Sequence, residues 1–144
     1  MKIAVLGANG FLGKFICNSL KEELYEVLPI TRKDLDLLNF NEVKNWLVQN
    51  SPDIIVNCAI SVEKGKYDVI NFDHIKNNLG IFLNFYNNDQ HFNRFINIGS
   101  GAEFDLSRDI NSATESEIFD RIPNDSYGYS KNTISRLILP KNKF

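Results

Sequence analysis

Short apolar runs alternate along the chain with segments whose apolar residues recur at helical spacing. KIAVLG is a compact apolar run closed by glycine and predicts a buried strand. FLGKFICNSLKEEL follows, and Phe11, Leu12, Phe15, Ile16, Leu20 and Leu24 recur in it as they would on a helix. YEVLPI predicts a second strand. Asn39 stands three residues before Glu42, a capping-box spacing that opens a helix through NEVKNWLVQ. SPDIIVNCAI turns at Pro52 into a third strand, a helix covers much of IKNNLGIFLNFYNN, and RFINIGS is a fourth strand ended by glycine. Residues 101–126 read as loops with a short acidic turn around ATESEIF. YGYSKNTISRLIL predicts a last helix, stopped by Pro140.

Strands and helices therefore alternate, and the strands are apolar throughout. That pattern predicts an α/β fold: a Rossmann-like parallel sheet with helices on both faces. A length of 144 residues suits one domain, 1–144, with a core of its own. No repeat, linker or low-complexity segment interrupts it. Hydrophobic residues at 43% and charged residues at 24% place the chain among soluble globular proteins. The 16 Lys+Arg and 18 Asp+Glu are mixed along the chain and leave a formal net charge of -2. Such a balance argues against a nucleic-acid partner or an anionic membrane surface. No apolar run approaches membrane-spanning length. Residues 1–13 lack the long apolar stretch and cleavage site of a signal peptide, so they read as an early strand and the expected compartment is the cytoplasm. Cys17 and Cys58 both sit in apolar surroundings and read as buried thiols. No metal site is expected.

Candidate chemistry begins in the first turn. Gly7, Gly10 and Gly13 in GANGFLG give a G-x-x-G-x-x-G spacing, a variant of the dinucleotide fingerprint. Gly7 lets the chain leave the strand tightly, Gly10 lets backbone approach a pyrophosphate, and Gly13 lets the helix pack on the sheet. The helix start then offers N–H groups to that anion. The other reading is a strand-to-helix turn without a ligand. At the end of the second strand, PITRKDLDL places Arg32 and Lys33 before Asp34. An acid there suits the ribose of NAD; a guanidinium suits the 2′-phosphate of NADP. NADP is therefore the expected cofactor, with NAD as the alternative, and a solvated Arg–Lys pair as the plain reading. Asp36 either contacts adenine or caps a turn.

SYGYSK sets Tyr127 and Lys131 four residues apart, on one helix face. A lysine cation favours the phenolate form of a tyrosine, so such a pair can move a proton at a hydroxyl or ketone. Tyr129 faces elsewhere. Ser100 follows the strand RFINIG, at the strand end where parallel sheets bind ligands, and its hydroxyl can bond the reacting oxygen. Each feature also has a plain reading: a solvated helix face, a serine closing a turn.

GANGFLG, SPDIIVNCA, NNLGIFLN, INIGS and YGYSK together make the chain resemble the extended short-chain dehydrogenase/reductases of the NAD-dependent epimerase/dehydratase family, over residues 1 to 139. TRKDLDL and SPDIIVNCA are most similar to the sugar-nucleotide reductases and epimerases. The resemblance implies an oxidoreductase or epimerase that transfers hydride at a sugar carbonyl or hydroxyl. Tyr127 would be the acid/base, Lys131 would orient the nicotinamide ribose, and Ser100 would polarise the sugar oxygen. Gly7, Asn9, Gly10, Phe11, Leu12, Gly13, Arg32, Asp36, Ala59 and Asn78 would line or support the cofactor, with Tyr127 and Lys131.

Two departures limit what the resemblance implies. Ser100, Gly101 and Ala102 stand where the dehydratases have Thr-Asp-Glu, and Glu103 is one position late, so dehydration lacks its acid and base. Ala102 also replaces the cysteine of the double epimerases. Reduction of a ketone, or epimerisation by transient oxidation, needs neither group. The family fold combines a cofactor half with a substrate half, about twice this length. After Leu139 the sequence reads PKNKF, so the last strand and the C-terminal substrate lobe are expected to be lacking. The expected partners are a nucleotide-sugar and either a second copy or a polypeptide supplying that lobe. The competing function is a non-catalytic nucleotide-binding or structural subunit.

Overall fold

The computed structural model describes residues 1–61, 70–107, 110, 112–141 and 143–144. β1 (Lys2–Leu6), α1 (Phe11–Glu22), β2 (Glu26–Ile30), α2 (Phe40–Asn50), β3 (Ile54–Asn57), α3 (Phe72–Tyr86), β4 (Arg94–Asn97) and α4 (Ser126–Ile138) follow one another. Short 3-10 turns occupy Asp89–His91, Gly101–Phe104 and Glu115–Phe119. The strands pair in parallel in the order β2-β1-β3-β4. Parallel neighbours need crossover connections, which the helices supply. The chain winds from β1 to β2 on one side and returns to β3 on the other. The order thus reverses between β1 and β3, the kind of crevice where open α/β sheets take ligands.

The described chain packs as two compact units. One comprises residues 1–60, 80–98 and 143–144; the other comprises 61–79 and 99–142. The first holds the whole sheet. Successive strand residues face opposite sides. On one face Ile3, Val5 and Val56 pack with Ala8 and Cys17, joined by Ile16 and Leu20 of α1. On the other face Ala4, Ile55 and Phe95 stand side by side in register. The Phe95 ring lies 5.9 Å from Phe82 and 5.8 Å from Phe85, which puts the second half of α3 over that face. Helices therefore cover both faces, as the apolar strands require.

Local sequence explains most element ends. The Asn39 side chain accepts from the N–H groups of Asn41 and Glu42 and so caps α2, but the reciprocal half of the expected box is not formed: Glu42 Oε1 takes the Asn39 Nδ2 at 2.9 Å, while the Asn39 N–H donates to the Asp36 carbonyl. α3 begins at Phe72, three residues before the apolar periodicity predicts, because Asn71 Oδ1 accepts from Asp73 N–H at 3.0 Å and starts the helix early. In α1 the buried stripe is Gly13, Ile16, Cys17 and Leu20, whereas Phe11 and Phe15 are 90% and 69% exposed. Those aromatics share the helical period but lie on another side of the cylinder. Leu24 falls beyond the helix and is likewise exposed.

Both outer strands have edges to manage. β2 has Pro29 on its exposed side, a residue that a central strand would not tolerate. On β4, the Phe95 N–H donates to the Lys143 carbonyl at 2.9 Å. The Phe144 ring then sits 5.1 to 6.1 Å from Tyr86, Phe95, Phe82 and Phe92.

Candidate functional site

In the first unit the sequence-predicted residues gather at the C-terminal ends of β1, β2 and β3. Gly7 leaves β1 with φ +73°, and a Cβ there would lie 2.9 Å from the backbone N and Cα of Ala59. Only glycine meets both demands. A Cβ on Gly13 would lie 2.3 Å from the Gly7 carbonyl oxygen, so the start of α1 sits directly on the turn. Gly10 donates its N–H to that same carbonyl at 2.9 Å and ends the turn. No side chain caps α1, and no acidic residue lies in its first turn. The first N–H groups of the helix thus suit an anion. Asn9, Phe11 and Leu12 are exposed around this opening. The residues present therefore fit the diphosphate of a dinucleotide.

The end of β2 is tied to this turn, since the Ala8 N–H donates to the Ile30 carbonyl at 3.1 Å. Arg32 follows two residues later. It is exposed, and among the described residues no hydrogen bond or ion pair engages its guanidinium. Asp34 is occupied: its Oδ2 accepts from Thr31 Oγ1 at 2.6 Å and from Thr31 N–H at 2.8 Å. Those bonds, with Lys33 nearby, hold its carboxyl below the usual aspartate range. Asp36 Oδ1 accepts from Leu38 N–H at 3.0 Å and so caps a turn. Ala59 is held by its N–H bond to Asn57 Oδ1 at 3.1 Å. Asn57 in turn donates to Asn97 Oδ1 at 2.9 Å, across the β3–β4 pair. Cys17 is buried as expected, and burial pushes its thiol pKa up, partly offset by Lys21. Cys58 is only half-buried, because it lies past the end of β3.

The second unit contains Asn78, Ser100, Tyr127 and Lys131. Asn78 is buried and clamps Ser61: its Oδ1 accepts from the Ser61 N–H at 2.6 Å and its Nδ2 donates to the Ser61 carbonyl at 3.0 Å. A longer contact of 3.5 Å reaches Ser130 Oγ on α4. Within this unit Asn78 therefore has a supporting position. The other side of Ser61 is held by its Oγ–His74 Nδ1 bond of 2.8 Å.

Asp125 starts α4 by accepting from the Gly128 N–H at 2.7 Å. Tyr127 and Lys131 are one turn apart on this helix; Tyr127 is half-buried and Lys131 buried. Ser100 caps the 3-10 turn Gly101–Phe104 through its Oγ, which accepts from Ala102 N–H at 3.2 Å. That bond uses a lone pair and leaves the hydroxyl hydrogen to donate. The turn meets α4 backbone to backbone: a Cβ on Gly128 would lie 2.6 Å from the Ala102 carbonyl oxygen. Buried Asn132 completes the join, donating to the carbonyls of Glu103 at 2.8 Å and Ile118 at 2.9 Å. Asn132 is not visible in the sequence pattern, because its partners come from distant segments, whereas Glu103 closes a Ser100–Glu103 capping box whose Ser-x-x-Glu spacing is a local signal. The Thr114–Glu117 capping box of the Glu115–Phe119 turn is a local signal inside ATESEIF.

Among the described residues no helix is long and apolar enough to cross a membrane. A model of the NAD dependent epimerase/dehydratase family matches residues 3–142, and the chain belongs to that family. It is 38% identical over 58 residues to the spore coat polysaccharide biosynthesis protein SpsK of Bacillus subtilis, covering 40% of this chain and 20% of that protein. It is 28% identical over 144 residues to GDP-L-colitose synthase of Yersinia pseudotuberculosis, covering 95% of this chain and 46% of the relative. Its fold matches GDP-mannoheptose C4 reductase from Campylobacter jejuni with NADP bound, at a TM-score of 0.79 and 23% identity, over 94% of this chain and 44% of that one. The chain thus spans under half the length of these proteins.

Proposed function

We propose that this member of the epimerase/dehydratase family is the cofactor-binding part of an NADP-dependent sugar-nucleotide reductase or epimerase. Tyr127, Lys131 and Ser100 are its chemical groups. The observation that supports this most is the junction at Gly128 and Ala102, which fixes the Ser100 turn against the helix bearing Tyr127 and Lys131. The names of the relatives, a GDP-colitose synthase and a GDP-mannoheptose C4 reductase, favour a GDP-linked sugar with a 4-keto group as substrate.

When bound, the nicotinamide supplies or accepts the hydride. The chain's own residues do the rest. The Ser100 hydroxyl donates to the sugar oxygen and draws charge onto it. Tyr127 gives that oxygen a proton during reduction, or removes one during oxidation. Lys131 bonds the nicotinamide ribose. Gly7, Gly10 and Gly13 let backbone approach the diphosphate, and Arg32 takes the 2′-phosphate. Asp34 turns its Oδ2 to Thr31. The competing reading is a nucleotide-binding subunit without turnover.

The test is turnover by Tyr127→Phe, followed by NADPH oxidation with a GDP-linked 4-keto hexose. Loss of turnover with NADPH affinity retained is expected. An active Tyr127→Phe variant would reject the acid/base assignment. A wild-type chain that binds NADPH without turnover would favour the second reading.

A further inference from the structure

Glu103 is a carboxylate with 6% exposure, in the turn Gly101–Phe104. Burying such a group is costly unless donors meet it. Two do. Its Oε1 accepts from the Ser100 N–H at 2.8 Å, and its Oε2 accepts from the Ser135 hydroxyl at 2.8 Å. Its own carbonyl is taken by Asn132 Nδ2. Both ends of Glu103 are therefore fastened to α4, by residues three apart on the same side of the helix. The carboxylate also packs under Gly99, where a Cβ would lie 3.0 Å from Oε1.

Ser135 extends the stripe of Tyr127 and Lys131, each one turn from the next along α4. A helix is a stiff ruler over two turns. Whatever holds Ser100 to Ser135 therefore also sets Ser100 against the two groups further up the stripe. We propose that Glu103 is a positioning residue, a hydrogen-bonded strut with Ser135 that aims the Ser100 hydroxyl along the Tyr127–Lys131 face. The inference rests on the catalytic roles proposed above. It assigns Glu103 a purpose other than the dehydration chemistry for which it stands one position late. The strut works through acceptor atoms rather than charge. Glutamine therefore replaces it, with Oε1 still taking the Ser100 N–H and the Ser135 hydroxyl turning to accept from the amide.

The experiment measures amide hydrogen exchange at Ser100 by NMR in the wild-type chain, Glu103→Gln, Glu103→Leu and Ser135→Ala. Leucine is preferred to alanine because Ser100, Glu103 and Ser135 border a cavity of about 330 Å³, through which water would reach a truncated side chain. Exchange at Ser100 is expected to quicken about tenfold in Glu103→Leu, the weight of one hydrogen bond, and to stay within about threefold of wild type in Glu103→Gln. Ser135→Ala, which loosens the far end, quickens it by about threefold and serves if the leucine variant does not fold. Unchanged exchange in Glu103→Leu or Ser135→Ala overturns the strut, as does a glutamine variant as fast as the leucine one. With NADPH and a GDP-linked 4-keto hexose, kcat should fall about tenfold in Glu103→Leu while the KM for NADPH holds, and Glu103→Gln should recover most of the loss. A fall in kcat that glutamine does not repair would reject the positioning role. A wild-type chain without turnover would defeat the proposed function alone, since the exchange rates still decide the strut.

Discussion

Gly7 lies so close to Ala59 that a single added carbon would reach within 2.9 Å of the Ala59 backbone. This contact joins the ends of β1 and β3 where the strand order reverses. Gly7→Ala meets two penalties together, a left-handed φ and a collision with main chain that cannot rotate away. A loss of about 2–4 kcal/mol is expected in urea unfolding. NADPH binding should weaken in the fraction that still folds, since the turn must open to admit the methyl group.

Arg32 stands exposed beside the glycine turn while the nearest carboxylate is engaged by Thr31. Arg32→Ala is expected to weaken NADPH binding by about 10- to 100-fold, the weight of charge-assisted bonds to a phosphate. NADH, which lacks that phosphate, should change by less than about threefold. Fluorescence titration with both nucleotides checks the difference, and an equal loss for the two would remove Arg32 from the 2′-phosphate.

Asn132 satisfies two buried carbonyls with one amide and accepts from Arg136 Nε at 2.8 Å. Leucine fills nearly the same volume and offers no donor. Asn132→Leu should therefore cost about 2–4 kcal/mol in chemical denaturation, because the carbonyls of Glu103 and Ile118 are left without partners.

Thr31 holds the Asp34 carboxyl below its ordinary range through its hydroxyl and its N–H, with Lys33 adding to the effect. A group lowered on folding adds stability above its unfolded value, about 3.9 for aspartate, and loses that contribution as pH falls through the folded value. Thr31→Val removes the hydroxyl donor. The Asp34 midpoint, read by carboxyl NMR titration, should rise towards the ordinary value, with the small acid-range contribution reduced accordingly.

What was legible in the sequence was what neighbours in sequence decide. The Asn39 cap, the glycine turn and the apolar strands each require only a few adjacent residues, and each was found in its expected place. The α3 start was missed because Asn71, a polar residue outside the apolar period, sets it. Phe11 and Phe15 keep helical spacing yet point away from the packed stripe, which Gly13 determines by its contact with Gly7. Asn132 could not be read from pattern, because the carbonyls it meets lie 29 and 14 residues away and only folding brings them to it. Glu103 is half legible: its bond to the Ser100 N–H is the local Ser-x-x-Glu capping box, whereas its bond to Ser135 spans 32 residues.

Pro29 has a consequence for how copies of this protein meet in concentrated solution. A strand arriving beside β2 needs a regular row of donors to copy its direction onto the next molecule. The imino acid breaks that row one residue before the strand ends, and exposed Glu26, paired with Lys2, stands at the other end. Fibrillar growth along this side of the sheet is therefore discouraged by covalent structure, with no need for a chaperone to mask it.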